Sequence, residues 1–179
     1  GIFLALDITF WYMAMLHTTI VNAVLLNNFC TVLVAIGAWY FFKDPMSWKL
    51  IIAIFLAMLG SGLLVGTKIE LGFETLRGDI YGLISAVFFA GFLLIVKHLR
   101  SHFSTPTIMM WGGFSSLYVL AFVAYFMGET LIPQTTQGWV TLIILGVAVH
   151  VCGQGLMNYA MAHIPVTFSS ITTFIGPVI

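Results

Sequence analysis

Apolar residues in this chain fall in long runs, broken by short stretches that hold most of the charges and turn formers. A membrane-spanning helix needs roughly 20 mainly apolar residues. Seven segments read as such helices: A (1–16), B (20–42), C (48–66), D (79–97), E (106–127), F (138–162) and G (166–179). A lacks its start and G its end, so the chain reads as a fragment of a longer parent. The breaks carry turn and charge signals: KDPMS after B, TKIELGFETLR after C, HLRSHFSTP after D and GETLIPQTTQ after E. The connections after A and F, HTT and HIP, are so short that A must lie antiparallel against B, and F against G.

Composition agrees with lipid as the solvent. Of the 179 residues, 61% are hydrophobic and 7% charged, with a mean hydropathy of +1.10. Soluble domains carry about 25% charged residues. Net charge is zero and no two Lys or Arg residues are adjacent, which leaves no footprint for nucleic acid. Cys30 and Cys152 lie in apolar runs and read as small hydrophobes rather than a bridge.

The two short-looped pairs resemble each other. At an offset of 146 residues, Ala14, Met15 and His17 fall on Ala160, Met161 and His163, while Asn27 falls on Thr173. Lys43, Lys49, Lys97 and Arg100 put the loops after B and D in the cytoplasm by the positive-inside rule, and the loop after F with them. A and F are five helices apart, so the copies run in opposite directions. Inverted repeats of this kind are a recurring plan of secondary transporters, with the site near the midplane.

Asp7 stands inside the apolar run LALDITFWYMAM. It lies ten residues before His17, about 15 Å below the outer surface at 1.5 Å per residue. A carboxylate at that depth costs about 2.5–3.5 kcal/mol even on the lenient insertion scale, so Asp7 must face protein or water. On F, His150, Gln154 and Asn158 follow i, i+4, i+8 and share one face. B offers Asn22, Asn27, Asn28 and Thr31, and G offers Ser169, Ser170, Thr172 and Thr173. Asp7, Asn27, Thr173 and the F face read as lining one central cavity, with Trp11, one turn from Asp7, as an apolar wall.

Blander roles account for much of the rest. Hydroxyls and amides in membrane helices often tie helix to helix, at about 0.6 kcal/mol each. Trp39, Tyr40, Trp48, Trp111 and Trp139 sit where interfacial anchors belong. Gly62 with Gly66, and the row Gly82, Ala86, Ala90, read as close helix packing. There is no HExxH, CxxC or P-loop motif, and His98 with His102 is a weak metal pair at a basic helix end. No catalytic residue, metal or cofactor is expected.

The stretch ALDITFWYMAMLHTTIVNAVLLNNFCTVLVAIGAWYFFKDPMSWK resembles the first EamA-type repeat of the drug/metabolite transporter superfamily. Its TTIVNA entry, Thr18 to Ala23, is similar to the family's T-S-V-A-N-A. RGDIYGLISAVFFAGFLLIVKHL resembles the opening helix of the second repeat, and MNYAMAHIPVTFSSITTFIGPVI its later helix pair, with Pro165 and Pro177 in place. Thr31 stands where first repeats commonly have proline, which puts a kink in B in doubt, and Asp44 where glutamate is usual.

The resemblance implies an all-α integral membrane bundle of two inverted five-helix repeats, of which this chain holds the third to ninth helices. Residues 1–66 would be a partial first repeat, 67–78 a loop between repeats and 79–179 a partial second repeat. A, B, D, F and G would line the cavity, with polar residues on all but D and a helix kink at Pro177. The expected protein is a multi-pass transporter of the bacterial plasma (inner) membrane, exporting amino acids or related amphipathic compounds by alternating access. Its partners would be a small-molecule substrate, the lipid bilayer and protons, with Asp7 as the proton-coupling candidate. A homodimer is compatible with this plan. A non-transporting membrane scaffold, or less readily an intramembrane enzyme, is the alternative.

Overall fold

The computed structural model describes residues 1–44, 48–65, 73–128, 132–160 and 163–164. Every element among them is helical: α1 (Ile2–His17), α2 (Ile20–Asn27), α3 (Cys30–Phe42), α4 (Trp48–Val65), α5 (Phe73–Arg100), α6 (Thr105–Met127), α7 (Thr136–Ile144), a π-helical stretch (Leu145–Gln154) and α8 (Gly155–Ala160). Thr19 caps α2 by accepting a hydrogen bond from the Asn22 N–H at 3.2 Å, and Thr135 caps α7 in the same way from Gly138 at 3.1 Å. Pro106 in the first turn of α6 costs no hydrogen bond, and Gly128, with φ of 72°, ends that helix in the left-handed conformation. Segment G, with Thr173 and Pro177, lies outside the described residues.

Three segments depart from the expected pattern. B is broken: the chain turns at Asn28–Phe29, and the N–H groups of Phe29, Thr31 and Val32 bond three residues back, to Leu26, Asn28 and Phe29. A tight 3₁₀ turn therefore interrupts the helix without a proline. D begins earlier than Asp79. It includes Phe73 to Gly78, which the sequence pattern places in the loop between repeats, and runs on to Arg100. F contains the ten-residue π-helical stretch, where two glycines and three valines weaken the α-helix.

α5 is the central helix, packing against α1, α2, α3, α6 and α8. Its row Gly82, Ala86, Ala90 is buried, and a Cβ at Gly82 would lie 3.3 Å from that of Leu26, so small residues bring α2 close. Around Leu93 and Val96 the core adds Cys30, Val34 and Ala38 of α3. Along the α1–α5 seam runs an aromatic ladder. The rings of His17 and Tyr81 lie 5.8 Å apart, Phe10 stacks on Phe88 at 5.6 Å, and Phe3 meets Phe88 edge-on at 5.7 Å. Residues 3, 10 and 17, like 81 and 88, are spaced by seven, the repeat that keeps a seam aligned between two helices.

Among the described residues, four helical spans are long and apolar enough to cross a bilayer: Asn22–Phe42, which runs across the 3₁₀ turn, Leu76–Arg100, Thr105–Met127 and Thr136–Ala160. α7 buries none of its residues, and α6 turns Trp111, Tyr118, Phe122 and Tyr125 outward. Such surfaces suit lipid, and the chain is an all-α integral membrane bundle.

The two histidines paired by the repeat offset behave alike. The Nδ1 of His17 lies 2.9 Å from the Met13 carbonyl, and that of His163 lies 3.2 Å from the Tyr159 carbonyl, each four residues back.

Candidate functional site

Asp7 is 8% exposed and faces α5. Ser85 Oγ donates to Asp7 Oδ1 at 2.6 Å, and Asn27 Nδ2 donates to Ser85 Oγ at 3.0 Å. The three side chains form one chain of hydrogen bonds across α2, α5 and α1. Buried polar chains of this kind strengthen one another where the surroundings are apolar. Asp7 and Asn27 come from the first expected repeat and Ser85 from the second, so the chain bridges the two.

Beside it lies a cavity of about 180 Å³ lined by Asp7, Ile8, Trp11, Asn27 and Phe89. At roughly 30 Å³ per liquid water it has room for a few waters, and it is smaller than the ~300–1,000 Å³ typical of drug-sized ligands. The other expected residues are elsewhere. His150, Gln154 and Asn158 share one wall of a separate cavity of about 1,280 Å³ between α5, α6 and α8.

The single cavity expected from sequence is thus two among the described residues. Phe89 lines the small one and Phe92 the large one, and their stacked rings, 6.2 Å apart, stand on α5 at the boundary. Asn158 is 3% exposed, and its Oδ1, like Gln154 Nε2, is buried without a hydrogen-bond partner among the described residues. His150 is exposed. Cys152, expected to pack as a small hydrophobe, is exposed on the wall of the large cavity because the π-helical stretch buries none of its side chains.

Two residues of these sites escaped the sequence reading. Ser85 corrects the expectation that D adds nothing polar. It is fully buried, and it is the sole polar residue between Tyr81 and Lys97, the same signal that marked Asp7. In the sequence Arg100 stands out only as a basic residue of a cytoplasmic loop. It lines the large cavity, its Nε donating to the Asn158 carbonyl at 3.1 Å and its Nη1 to the Phe103 carbonyl at 2.7 Å. Lys97 Nζ donates to the Ile164 carbonyl at 3.1 Å, so the basic end of α5 holds the connection that follows segment F. His98 and His102 have rings 5.4 Å apart, and no group of three metal-ligating side chains occurs among the described residues.

The site is thus a buried carboxyl bonded across α1, α5 and α2, with a large, mainly apolar cavity elsewhere in an all-helical bundle. The chain belongs to the EamA-like transporter family, whose pattern matches residues 76–179. It is similar to the pseudopaline exporter CntI of Pseudomonas aeruginosa, in strains UCBPP-PA14 and PAO1. The identity is 23% over 176 residues, covering 98% of this chain and 60% of each relative. A solved crystal structure matches with a TM-score of 0.79 at 14% identity, covering 95% of this chain and 59% of the other. The chain therefore spans about 60% of the length of the curated relatives it matches. It is an integral multi-pass membrane protein of the bacterial inner-membrane type.

Removal of the middle link in the polar chain has a defined expectation. Ser85→Ala leaves Asp7 and Asn27 without their shared partner, and a hydrogen bond to a charged group contributes about 1.5–3 kcal/mol. Thermal unfolding in detergent should show a lower midpoint for Ser85→Ala, while Ser115→Ala, which loses only a bond to the Trp111 carbonyl of its own helix, should leave it unchanged.

Proposed function

We propose that the protein is a secondary transporter that exports small amphipathic metabolites, amino acids among them, by alternating access. The observation that carries this reading is the Asn27–Ser85–Asp7 chain, which joins the two expected repeats beside a cavity. In an inverted-repeat carrier the halves rock against each other around the site. A bond that must break when they part is suited to couple that motion to a proton. Asp7 is the coupling carboxyl in this reading. His150, Gln154 and Asn158 offer hydrogen bonds to the substrate, and Trp11 walls the smaller cavity. Relatives named as exporters favour outward transport.

The test is substrate flux in proteoliposomes containing the intact protein, with and without a pH gradient, for wild type and Asp7→Asn. Unchanged flux at every pH would remove Asp7 from the mechanism.

A non-transporting scaffold is the rival, favoured by one observation: Ser85 already satisfies Asp7 internally. The exposed thiol of Cys152 separates the two. A hydrated transport path predicts that a membrane-impermeant maleimide labels Cys152 from one side and that substrate slows the labelling. A scaffold with its cavity filled by lipid predicts no labelling from either side. Mass spectrometry of the modified peptide reads the result.

A further inference from the structure

The large cavity is apolar over most of its wall, with Phe92, Met109 and Leu117 among its lining residues. The hydroxyl residues Ser104, Thr105 and Ser116 line it from α6 and the turn before it, His150 from the π-helical stretch, and Arg100, Gln154 and Asn158 from the end of α5, the end of the π-helical stretch and α8. Gln154 and Asn158 are one turn apart, and Arg100 is drawn alongside Asn158 by its bond to that residue's carbonyl. The two observed bonds use two of the five N–H groups of a guanidinium, so Arg100 keeps donors for the cavity. A buried donor on Gln154 and a buried acceptor on Asn158 lack partners among the described residues. Buried polar groups in this state cost stability until something bonds them.

These features converge on one ligand chemistry. Arg100 is the one cationic side chain lining the cavity among the described residues. A planar guanidinium matches a carboxylate by paired hydrogen bonds. Gln154 Nε2 would add a donor to the same group, and Asn158 Oδ1 would accept from an ammonium or hydroxyl beside it. Amide oxygen and nitrogen exchange by a flip, so the pair supplies one donor and one acceptor in either sense. We propose that Arg100 is a specificity-determining residue of this cavity, reading the carboxylate of an amphipathic amino acid-like substrate whose apolar body lies against Phe92, Met109 and Leu117. This deepens the transporter reading and rests on it for the word substrate.

The nearest structural role for Arg100 is to cap the carbonyls of Phe103 and Asn158, and the test separates the two. The intact protein in detergent would be heated with L-phenylalanine or L-phenylalaninamide, which differ only in the carboxylate. A ligand that binds the folded state raises the unfolding midpoint with its concentration. Wild type should be stabilised by phenylalanine and not by its amide. Arg100→Met should weaken the apparent affinity by about tenfold or more, the size of a lost charge-assisted bond. Arg100→Lys, which keeps a cation, should retain part of it.

Asn158→Leu keeps the carbonyl that Arg100 bonds and removes the acceptor, so it should lower affinity with the cap intact. Equal stabilisation by both compounds, stabilisation by neither, or an unchanged affinity in Arg100→Met or Asn158→Leu overturns the proposal. So does an Arg100-dependent rise with phosphatidylglycerol when phenylalanine gives none, since the anion would then be a lipid headgroup. The assay requires no flux. It can fail while Asp7-dependent transport stands, and it can succeed where transport fails.

Discussion

Asp7→Asn is expected to abolish uphill substrate movement driven by a pH gradient while leaving substrate counterflow largely intact. The asparagine oxygen can still accept from Ser85 Oγ at the 2.6 Å position, so the bridge between α1 and α5 survives in neutral form. What disappears is the change of charge. A hydrogen bond to a carboxylate contributes about 1.5–3 kcal/mol and a neutral one about 0.5–1.5, so the native side chain can tighten and loosen the bridge as it loses and gains a proton. Asparagine holds one strength throughout. Exchange of substrate for substrate needs no proton cycle and should persist, whereas accumulation against a gradient should fall to the level of empty liposomes. The pH profile of the residual flux should be flat. Loss of counterflow together with accumulation would make Asp7 a substrate ligand instead. No loss of either would leave it a helix tie, as the scaffold reading requires.

The charge of Asp7 made this position legible without coordinates. A carboxylate in an apolar run has to find a partner, and Trp11 and Asn27 were within reach by helical spacing and depth. The structure places all three around one cavity. Ser85 was harder to pick out because hydroxyls in membrane helices so often bond their own backbone. Thr9, Ser115 and Thr141 do this here, each donating to the carbonyl four residues earlier. Ser85 differs in reaching another helix, and sequence does not distinguish the two habits.

The face of His150, Gln154 and Asn158 was legible from spacing, and all three do line one wall. Helical spacing fixes an angle about one axis, however, and says nothing of which side of a neighbouring helix the wall will face. Packing decides that: Phe89 lines the smaller cavity with Asp7, and Phe92 lines the larger one with His150, Gln154 and Asn158. The break in B is a similar case. Its familiar cause, a proline, is absent, and the 3₁₀ hydrogen bonds around Asn28–Phe29 produce a turn that no residue type announces.

The alternation of helices left firmer traces. His17 and Thr18 meet Tyr81 and Asp79 at one end of α5, while Lys97 and Arg100 meet Ile164 and Asn158 at the other. These are the pairings that loops alternating between two faces of a membrane require.

The first of those ends carries the second large prediction: Gly78→Val should destabilise the bundle by about 1–3 kcal/mol, the usual cost of forcing extra atoms into a packed site. Gly78 is a buried position on α5, against the connection between α1 and α2. A Cβ there would lie 2.6 Å from both the Cβ and the backbone nitrogen of Thr18, and 2.7 Å from the carbonyl carbon of His17. Two of those three atoms are backbone, so relief requires the turn itself to move and not merely a side-chain tip. That movement would pull Thr18 Oγ1 away from Asp79 Oδ1, now 2.8 Å distant, and His17 away from the ring of Tyr81. Replacing a mid-helix glycine normally helps a helix, by up to about 1 kcal/mol, so the sign of the effect is diagnostic. Gly60 on α4 provides the control, because its Cβ would meet nothing within 4 Å among the described residues. In detergent the unfolding midpoint of Gly78→Val should drop by several degrees, and that of Gly60→Ala should hold or rise. Equal midpoints for the two variants would mean that the α1–α2 connection does not rest on α5 as the structure places it, and that this contact is looser than its distances imply.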